Sequence, residues 1–267
     1  MEIILKLYEH YSREDGLEAW NKARPGFCEA ESAAKACYLA KATGAKIGIV
    51  HVSSPETLDI IEYFRLKGLN VLAEACPQYL CLNHEDGRVF RPFTAKITPP
   101  VRSLKDNLSL WQGLGQGRFS IMGTDHCSNL LRRKLGSNIW ETRPGFPGLE
   151  TYLPILLSEG VNKDRISINQ LVSLCCCGNA RAFGLFPNKG VLCPGADADL
   201  VIVDLNMEKK VGNSNYQGFS DFSPYHGWNL KGWPVLTMVR GTVVMKNGEI
   251  IGRAGHAKYQ AMKLKEV

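Results

Sequence analysis

Over the first two thirds of the chain, apolar positions alternate between helical spacing and short continuous runs. From Glu29 to Thr43, small and apolar residues (Ala30, Ala33, Ala34, Cys37, Ala40) recur at helical spacing, and Gly44 supplies a stop. Lys46 to Val52 is a short apolar run with the character of a buried strand. Ser53 or Ser54 can then cap a helix that has Pro55 in its first turn and Glu56 three residues after Ser53. Leu58, Ile61 and Phe64 or Arg65 carry that helix to Gly68, and Leu69 to Ala75 reads as strand again. Strand, helix and strand in this order predict a βαβ unit with parallel strands and a right-handed crossover. Ser103 with Asp106 opens a further helix carrying Leu104, Leu108 and Trp111, and Phe119 to Gly123 reads as another buried strand. Leu149 to Glu159 and Ile168 to Phe183 are expected as helices, the second opened by a Ser167–Gln170 capping box. Such alternation predicts part of an α/β sheet or barrel.

The texture changes near Pro187. Ala198 to Asp204 and Val235 to Met245 are rich in strand formers, and Asn247-Gly248 is a strong hairpin signal with Glu249 to Ile251 returning. A small antiparallel unit is therefore expected, dividing the chain into an α/β part over 1–186 and a β-rich lobe and tail over 187–267. Met207 to Trp228, polar and aromatic, is expected to be a long surface connection.

Composition narrows the class. With 267 residues, 45% of them hydrophobic, the chain can bury a sizeable core. The net charge of +6 is scattered; its densest basic run, Arg132-Arg133-Lys134, is not part of an aromatic-interleaved stripe. Scattered charge speaks to solubility and against nucleic acid as a partner. The nine cysteines include the trio Cys175, Cys176, Cys177, with no C-x-x-C spacing, which favours a reducing cytosol over a disulfide framework. No signal-peptide pattern and no membrane-length apolar run are present, so a soluble cytoplasmic protein is expected, without a membrane partner.

Chemistry concentrates at two expected strand ends. His51 closes one strand, and Asp125 follows another within Gly123-Thr124-Asp125-His126-Cys127. In a parallel barrel, catalytic groups gather at C-terminal strand ends because the loops there vary without disturbing the core. An imidazole and a carboxylate suit a divalent metal, and the carboxylate can also move a proton. Taken singly, such a His is more often structural and such an Asp more often a cap or turn residue. Ser53-Ser54 is better explained as a helix cap than as a nucleophile. The cysteine trio reads as helix packing, and His84, His226 and His256 read as surface residues.

The motifs around these residues change the weighting. Val50-His51-Val52-Ser53-Ser54, Glu74 to Leu80, Thr98 to Arg102 and Gly123 to Ser128 occur in that order. Pro147 to Glu150, Asn179 to Leu185, Gly195 to Val201 and Lys231 to Val235 follow. Together they resemble the cyclic-amidase branch of the amidohydrolase superfamily: dihydropyrimidinases, hydantoinases, allantoinases and dihydroorotases. The resemblance implies a (β/α)8 TIM-type metallo-hydrolase barrel with a small β-sandwich. It implies two zinc ions held by an HxH pair, a carboxylated lysine, two further histidines and one aspartate.

By that resemblance His51 matches the last histidine ligand, and Asp125 the aspartate that binds metal and shuttles the proton. A metal-activated hydroxide would open a small cyclic amide. Gln78 tilts the likeness toward hydantoinases and dihydropyrimidinases, whereas Pro144 stands where hydantoinases commonly place a substrate-contacting Asn, so allantoin or dihydroorotate stays open as the substrate. Thr98 matches a substrate-contacting main-chain position, and Cys127 and His126 are candidates to line the pocket. A homo-oligomer, dimer or tetramer, is implied. The alternative is a non-catalytic, dihydropyrimidinase-related scaffold.

The chain contains no HxH pair, and nothing before His51 resembles the lysine or the first histidine strand. By the resemblance it corresponds to a C-terminal portion that keeps three barrel strands, as from an incomplete gene model or a broken gene with Met1 an internal methionine. Two ligands fall below the three expected of a catalytic zinc site. An open barrel fragment also exposes strand edges. The 267-residue chain alone is therefore expected to be inactive and poorly stable. Turnover of a cyclic amide by the purified chain would overturn that expectation.

Overall fold

A computed structural model describes residues 2–89, 91–212 and 216–262. The chain divides into two compact units: Met1–Phe119 with Gly123–Tyr152 and Val211–Trp228, and Ser120–Met122 with Leu153–Lys210 and Asn229–Val267. The change of texture at Pro187 falls within the second unit. No helix among the described residues is long and apolar enough to cross a membrane.

The first unit opens with α1 (Glu2–Tyr11), α2 (Gly16–Lys22) and α3 (Gly26–Thr43). It continues through β1 (Ile47–Ile49), α4 (Pro55–Leu66), β2 (Val71–Ala75), α5 (Pro77–Cys81) and α6 (Leu104–Gly115). The expected βαβ unit is present, with β1 and β2 parallel in the register Ile47 to Val71, Gly48 to Leu72 and Ile49 to Ala73. In α3, Ala30, Ala33, Cys37 and Ala40 form the buried stripe, and Gly44 ends the helix at φ +72°. Side chains this small let α4 approach closely, and Tyr38 meets Phe64 edge to face at 4.8 Å.

The two candidate cap serines divide their work. Ser54 Oγ accepts the Thr57 N–H and caps α4, while Ser53 turns to Glu29. The face of α6 also differs from the expected one. Leu104 and Leu108 are exposed, and Asn107, Leu110, Trp111 and Leu114 are buried. A polar residue can face inward here because Asn107 donates to the carbonyls of Tyr79 and Leu82 at 2.6 and 3.1 Å.

The segment after Lys210 is not a surface connection. Val211, Phe222, Tyr225 and Trp228 are buried, and residues 213–215 lie outside the described ones. Trp228 donates its indole N–H to the Arg88 carbonyl at 3.1 Å beneath the Arg88 guanidinium. The Asn129 and Leu131 N–H groups donate to Ser220 Oγ and Asp221 Oδ1. Phe222, Tyr225 and Trp228 are core material, whereas Phe219 stays exposed; composition alone does not distinguish such a segment from a loop.

In the second unit, β3 (Ile121–Met122) is short, and Asn179 donates to the Met122 carbonyl at 2.9 Å. Helix α7 (Leu149–Ile155) runs into a π-helical turn, and α8 (Ile168–Val172), opened by the Ser167–Gln170 capping box, does the same before α9 (Asn179–Ala182). Cys176 is exposed, and Cys175 and Cys177 are half-buried; Leu171 and Leu174 fill the core instead of the trio. Gly178 lets this turn close on Ser120, whose carbonyl would lie 2.5 Å from an added Cβ. Strands β4 (Leu200–Lys210), β5 (Asn229–Val239), β6 (Thr242–Lys246) and β7 (Glu249–Ile250) form an antiparallel sheet in sequence order. The Asn247-Gly248 turn has both residues at positive φ, as the hairpin signal requires.

One polar network ties the first unit together. Arg102 is 3% exposed; it donates to Ser53 Oγ at 3.1 Å, Asn21 Oδ1 at 2.9 Å, Glu29 Oε2 at 3.2 Å and the Arg24 carbonyl. Glu29 in turn accepts the Ser53 N–H at 2.9 Å and its hydroxyl. Removing one partner would leave a buried charge uncompensated. Arg102→Met is therefore expected to cost about 3–5 kcal/mol in urea unfolding. The double variant with Glu29→Gln should cost less than the sum of the two singles.

Candidate functional site

His51 follows β1 with φ +43°, and Asp125 lies beyond β2's neighbouring chain with φ +46°. Gly123 donates to the Ala75 carbonyl at 2.9 Å, which sets the Asp125 turn beside the end of β2. Left-handed backbone at a non-glycine residue costs on the order of 1–3 kcal/mol and persists where surrounding structure over-determines it, commonly at functional sites. Both expected metal-site residues carry this signature.

The His51 ring is partly buried, and its Nδ1 is a buried polar atom with no hydrogen-bond partner. Asp125 is exposed on its solvent side. Loss of solvent on the protein side raises its carboxyl pKa, and the imidazole of His51 opposes the rise. Glu74 completes the group. Burial raises its pKa, His51 opposes the rise, and the Asp125 charge adds to it. In the sequence Glu74 is only one member of its motif; its place beside the two strand-end residues is set by the β1–β2 register.

A free imidazole nitrogen and a carboxylate fit a divalent cation in kind. They fall short in number: among the described residues no group of three or more His, Cys, Asp and Glu side chains is placed to hold a metal ion.

The remaining candidates lie on loops stitched to this pair. Gln78 donates its amide to the Thr124 carbonyl at 3.3 Å. Both His126 ring nitrogens are engaged internally: Nδ1 accepts the Gly148 and Leu149 N–H groups at 3.1 and 3.3 Å, and Nε2 meets Ser128 Oγ at 3.0 Å. This ring serves the first turn of α7. Cys127 is exposed, and its N–H donates to the Phe146 carbonyl at 3.0 Å. Gly145, at φ +90°, packs so closely on Cys127 that an added Cβ would lie 2.8 Å from Sγ. It donates to the Lys96 carbonyl at 2.9 Å, which brings exposed Pro144 and exposed Thr98 onto neighbouring segments. Thr98 is pinned on both sides, by the Trp20 indole on the Ile97 carbonyl and the Tyr79 hydroxyl on the Pro99 carbonyl.

Two buried lysines, absent from any motif reading, anchor the wall that carries Pro144. Lys96 and Lys134 are 2% and 1% exposed. Lys96 Nζ donates to the carbonyls of Ile139, Trp140 and Thr142. Lys134 Nζ donates to the carbonyls of Lys96 at 2.9 Å and Arg143 at 2.8 Å. Burial lowers the Lys96 pKa to about 8, with Arg24 adding to the effect. It lowers that of Lys134 to about 7, opposed by Cys127 and reinforced by Lys96. Lys134 belongs to the basic run that reads as surface charge; only its flanking arginines lie toward solvent.

Comparison with known proteins bears on this arrangement. A model of the amidohydrolase family matches residues 9–244. The L-hydantoinase of Paenarthrobacter aurescens is 38% identical over 245 residues, covering 91% of this chain and 53% of that protein. The D-hydantoinase of Geobacillus stearothermophilus is 36% identical over 241 residues, covering 88% and 51% respectively. The chain thus spans about half the length of the curated relatives it matches. Among solved structures, L-hydantoinase (dihydropyrimidinase) from Arthrobacter aurescens superposes with a TM-score of 0.89 at 36% identity, over 94% of this chain and 56% of that one. Dihydropyrimidinase from Brevibacillus agri does so with a TM-score of 0.90 at 30% identity, over 98% and 58%. The fold is accordingly part of the TIM-type barrel and β lobe of these enzymes.

The buried lysines give the first unit a pH dependence of definite sign. A lysine depressed in the folded state contributes stability at high pH that is lost as pH falls through its folded pKa. Between about pH 7, the folded value of Lys134, and about pH 10.5, the ordinary lysine value, the unfolded chain holds more protons on these two residues, so the unfolding midpoint should rise with pH across that range. Lys134→Met should flatten that rise in urea titrations at several pH values.

Proposed function

Because this chain belongs to the amidohydrolase family, we propose that it forms the C-terminal part of a hydrolase that opens small cyclic amides of the dihydropyrimidine or hydantoin type. The observation that carries the reading is the pairing of His51 and Asp125. Both are held in left-handed backbone conformation, and the imidazole has an unpartnered buried nitrogen.

Hydantoinases of this family are generally metal-dependent, and under this reading His51 and Asp125 contribute two ligands to a zinc centre. The cation, when bound, supplies Lewis acidity toward the amide carbonyl and toward water. The Asp125 carboxylate takes the proton of the attacking water and returns it to the ring nitrogen that leaves, which balances the hydrolysis. Thr98, fixed by its flanking hydrogen bonds, offers main-chain groups to the ring, and Cys127 and Pro144 line the wall. His126 shapes the wall through its hold on α7. Gln78 supports a hydantoin or dihydropyrimidine substrate, and Pro144 leaves room for allantoin or dihydroorotate.

A non-catalytic scaffold is the second reading; the presence of both His51 and Asp125 speaks against it. Free thiols at all nine cysteines accord with a cytoplasmic location, and the family likeness favours a dimer or tetramer.

The test uses the full-length gene product with hydantoin and dihydrouracil. Ring opening should be lost on chelation and restored by zinc, and Asp125→Asn should lower kcat by about a hundredfold or more. Absence of turnover together with absence of zinc binding would establish the scaffold instead. The 267-residue chain by itself should bind zinc weakly and turn over neither compound.

A further inference from the structure

Glu74 takes no part in the reaction assigned above, although it is the charged member of the Glu74–Leu80 motif. From β2, its Oε2 accepts the His51 backbone N–H at 3.3 Å, and its Oε1 accepts the Cys76 thiol at 3.7 Å. The carboxylate is coupled electrostatically to both His51 and Asp125. The space it occupies is made by Gly123. A Cβ built on Gly123 would overlap Glu74 Oε1, and Glu74 Cδ would lie 2.6 Å from it. Gly123 itself stands two residues before Asp125, with its N–H on the Ala75 carbonyl.

A residue with φ +43° that is not glycine needs its neighbours to hold it. The main-chain bond to a carboxylate does this for His51, because a charged acceptor makes a stronger hydrogen bond than a neutral one. The geometry points to Glu74 as a positioning residue of the site: its carboxylate, admitted by the missing side chain at Gly123, holds His51 in the conformation in which it can serve with Asp125. The inference rests on the reading of His51 as a metal ligand.

Gly123→Ala is an informative probe. The atom it displaces is the tip of a flexible side chain, so the fold can survive while the carboxylate moves. The experiment measures amide hydrogen exchange at His51, by NMR, in the full chain and in Glu74→Ala, Glu74→Gln, Gly123→Ala and the Glu74→Ala/Gly123→Ala double variant. Exchange at His51 should rise about tenfold or more in Glu74→Ala and Gly123→Ala. It should rise less in Glu74→Gln than in Glu74→Ala, because the amide oxygen still accepts the N–H but as a weaker, neutral acceptor. The double variant should match the singles, and the β1–β2 ladder amides should not change in any of them. Unchanged exchange at His51 in Glu74→Ala, or effects that add in the double variant, would overturn the proposal. Zinc titration of the full-length gene product and its His51→Ala variant runs alongside. Equal zinc binding by those two would remove the metal-ligand reading, while the exchange data would still decide the role of Glu74.

Discussion

A charge taken out of water must be paired and hydrogen-bonded where it stands, and the first unit is arranged around that requirement at Arg102. The guanidinium reaches α2 through Asn21, α3 through Glu29 and the loop after β1 through Ser53. The nearest of these partners in sequence, Ser53, is 49 residues away. The two helices and the strand end are thereby fixed to one another by a single side chain. His51 lies just before the Ser53 anchor, so the position of the candidate ligand is inherited from an ion pair that takes no part in chemistry.

The same logic recurs on the other side of the site. Ser53 is held from the helical side by Glu29 and Arg102, and the His51 N–H is held from the sheet side by Glu74. A loop clamped from both faces can sustain backbone strain that an unsupported loop would release. Lys96 and Lys134 do for the 138–146 segment what Arg102 does for the helices, by gathering carbonyls that would otherwise be buried without donors. The site's walls are thus held by buried charge, and its candidate chemistry sits on the loops between.

Much of the local structure was legible because it is written in short-range signals. The alanine stripe of α3, the Ser103–Asp106 and Ser167–Gln170 boxes and the Asn247-Gly248 turn each involve residues within a few positions of one another. His51 and Asp125 became candidates by standing at expected strand ends within ordered motifs. Other features escaped because their meaning depends on distant partners. Helices α1 and α2 depend on such a partner: Tyr8 and Trp20 pack on Trp140. The 211–228 segment has no period that marks it as core, yet Phe222, Tyr225 and Trp228 are buried. Leu104 and Leu108 looked like core, yet Asn107 takes the inward position because two carbonyls await it there.

The sequence by itself determined much of the order of helices and strands, the parallel βαβ unit and the antiparallel lobe, and its motifs pointed to the family and to His51 and Asp125 as candidates. These follow from periodicity, capping and motif order, which act over a few residues. The tertiary structure alone decided which charged residues are buried, that Glu74 joins His51 and Asp125, and that His126 spends both nitrogens inside the protein. Burial and hydrogen-bond partnership depend on chain segments brought together from far apart, and no local pattern encodes which segments will meet.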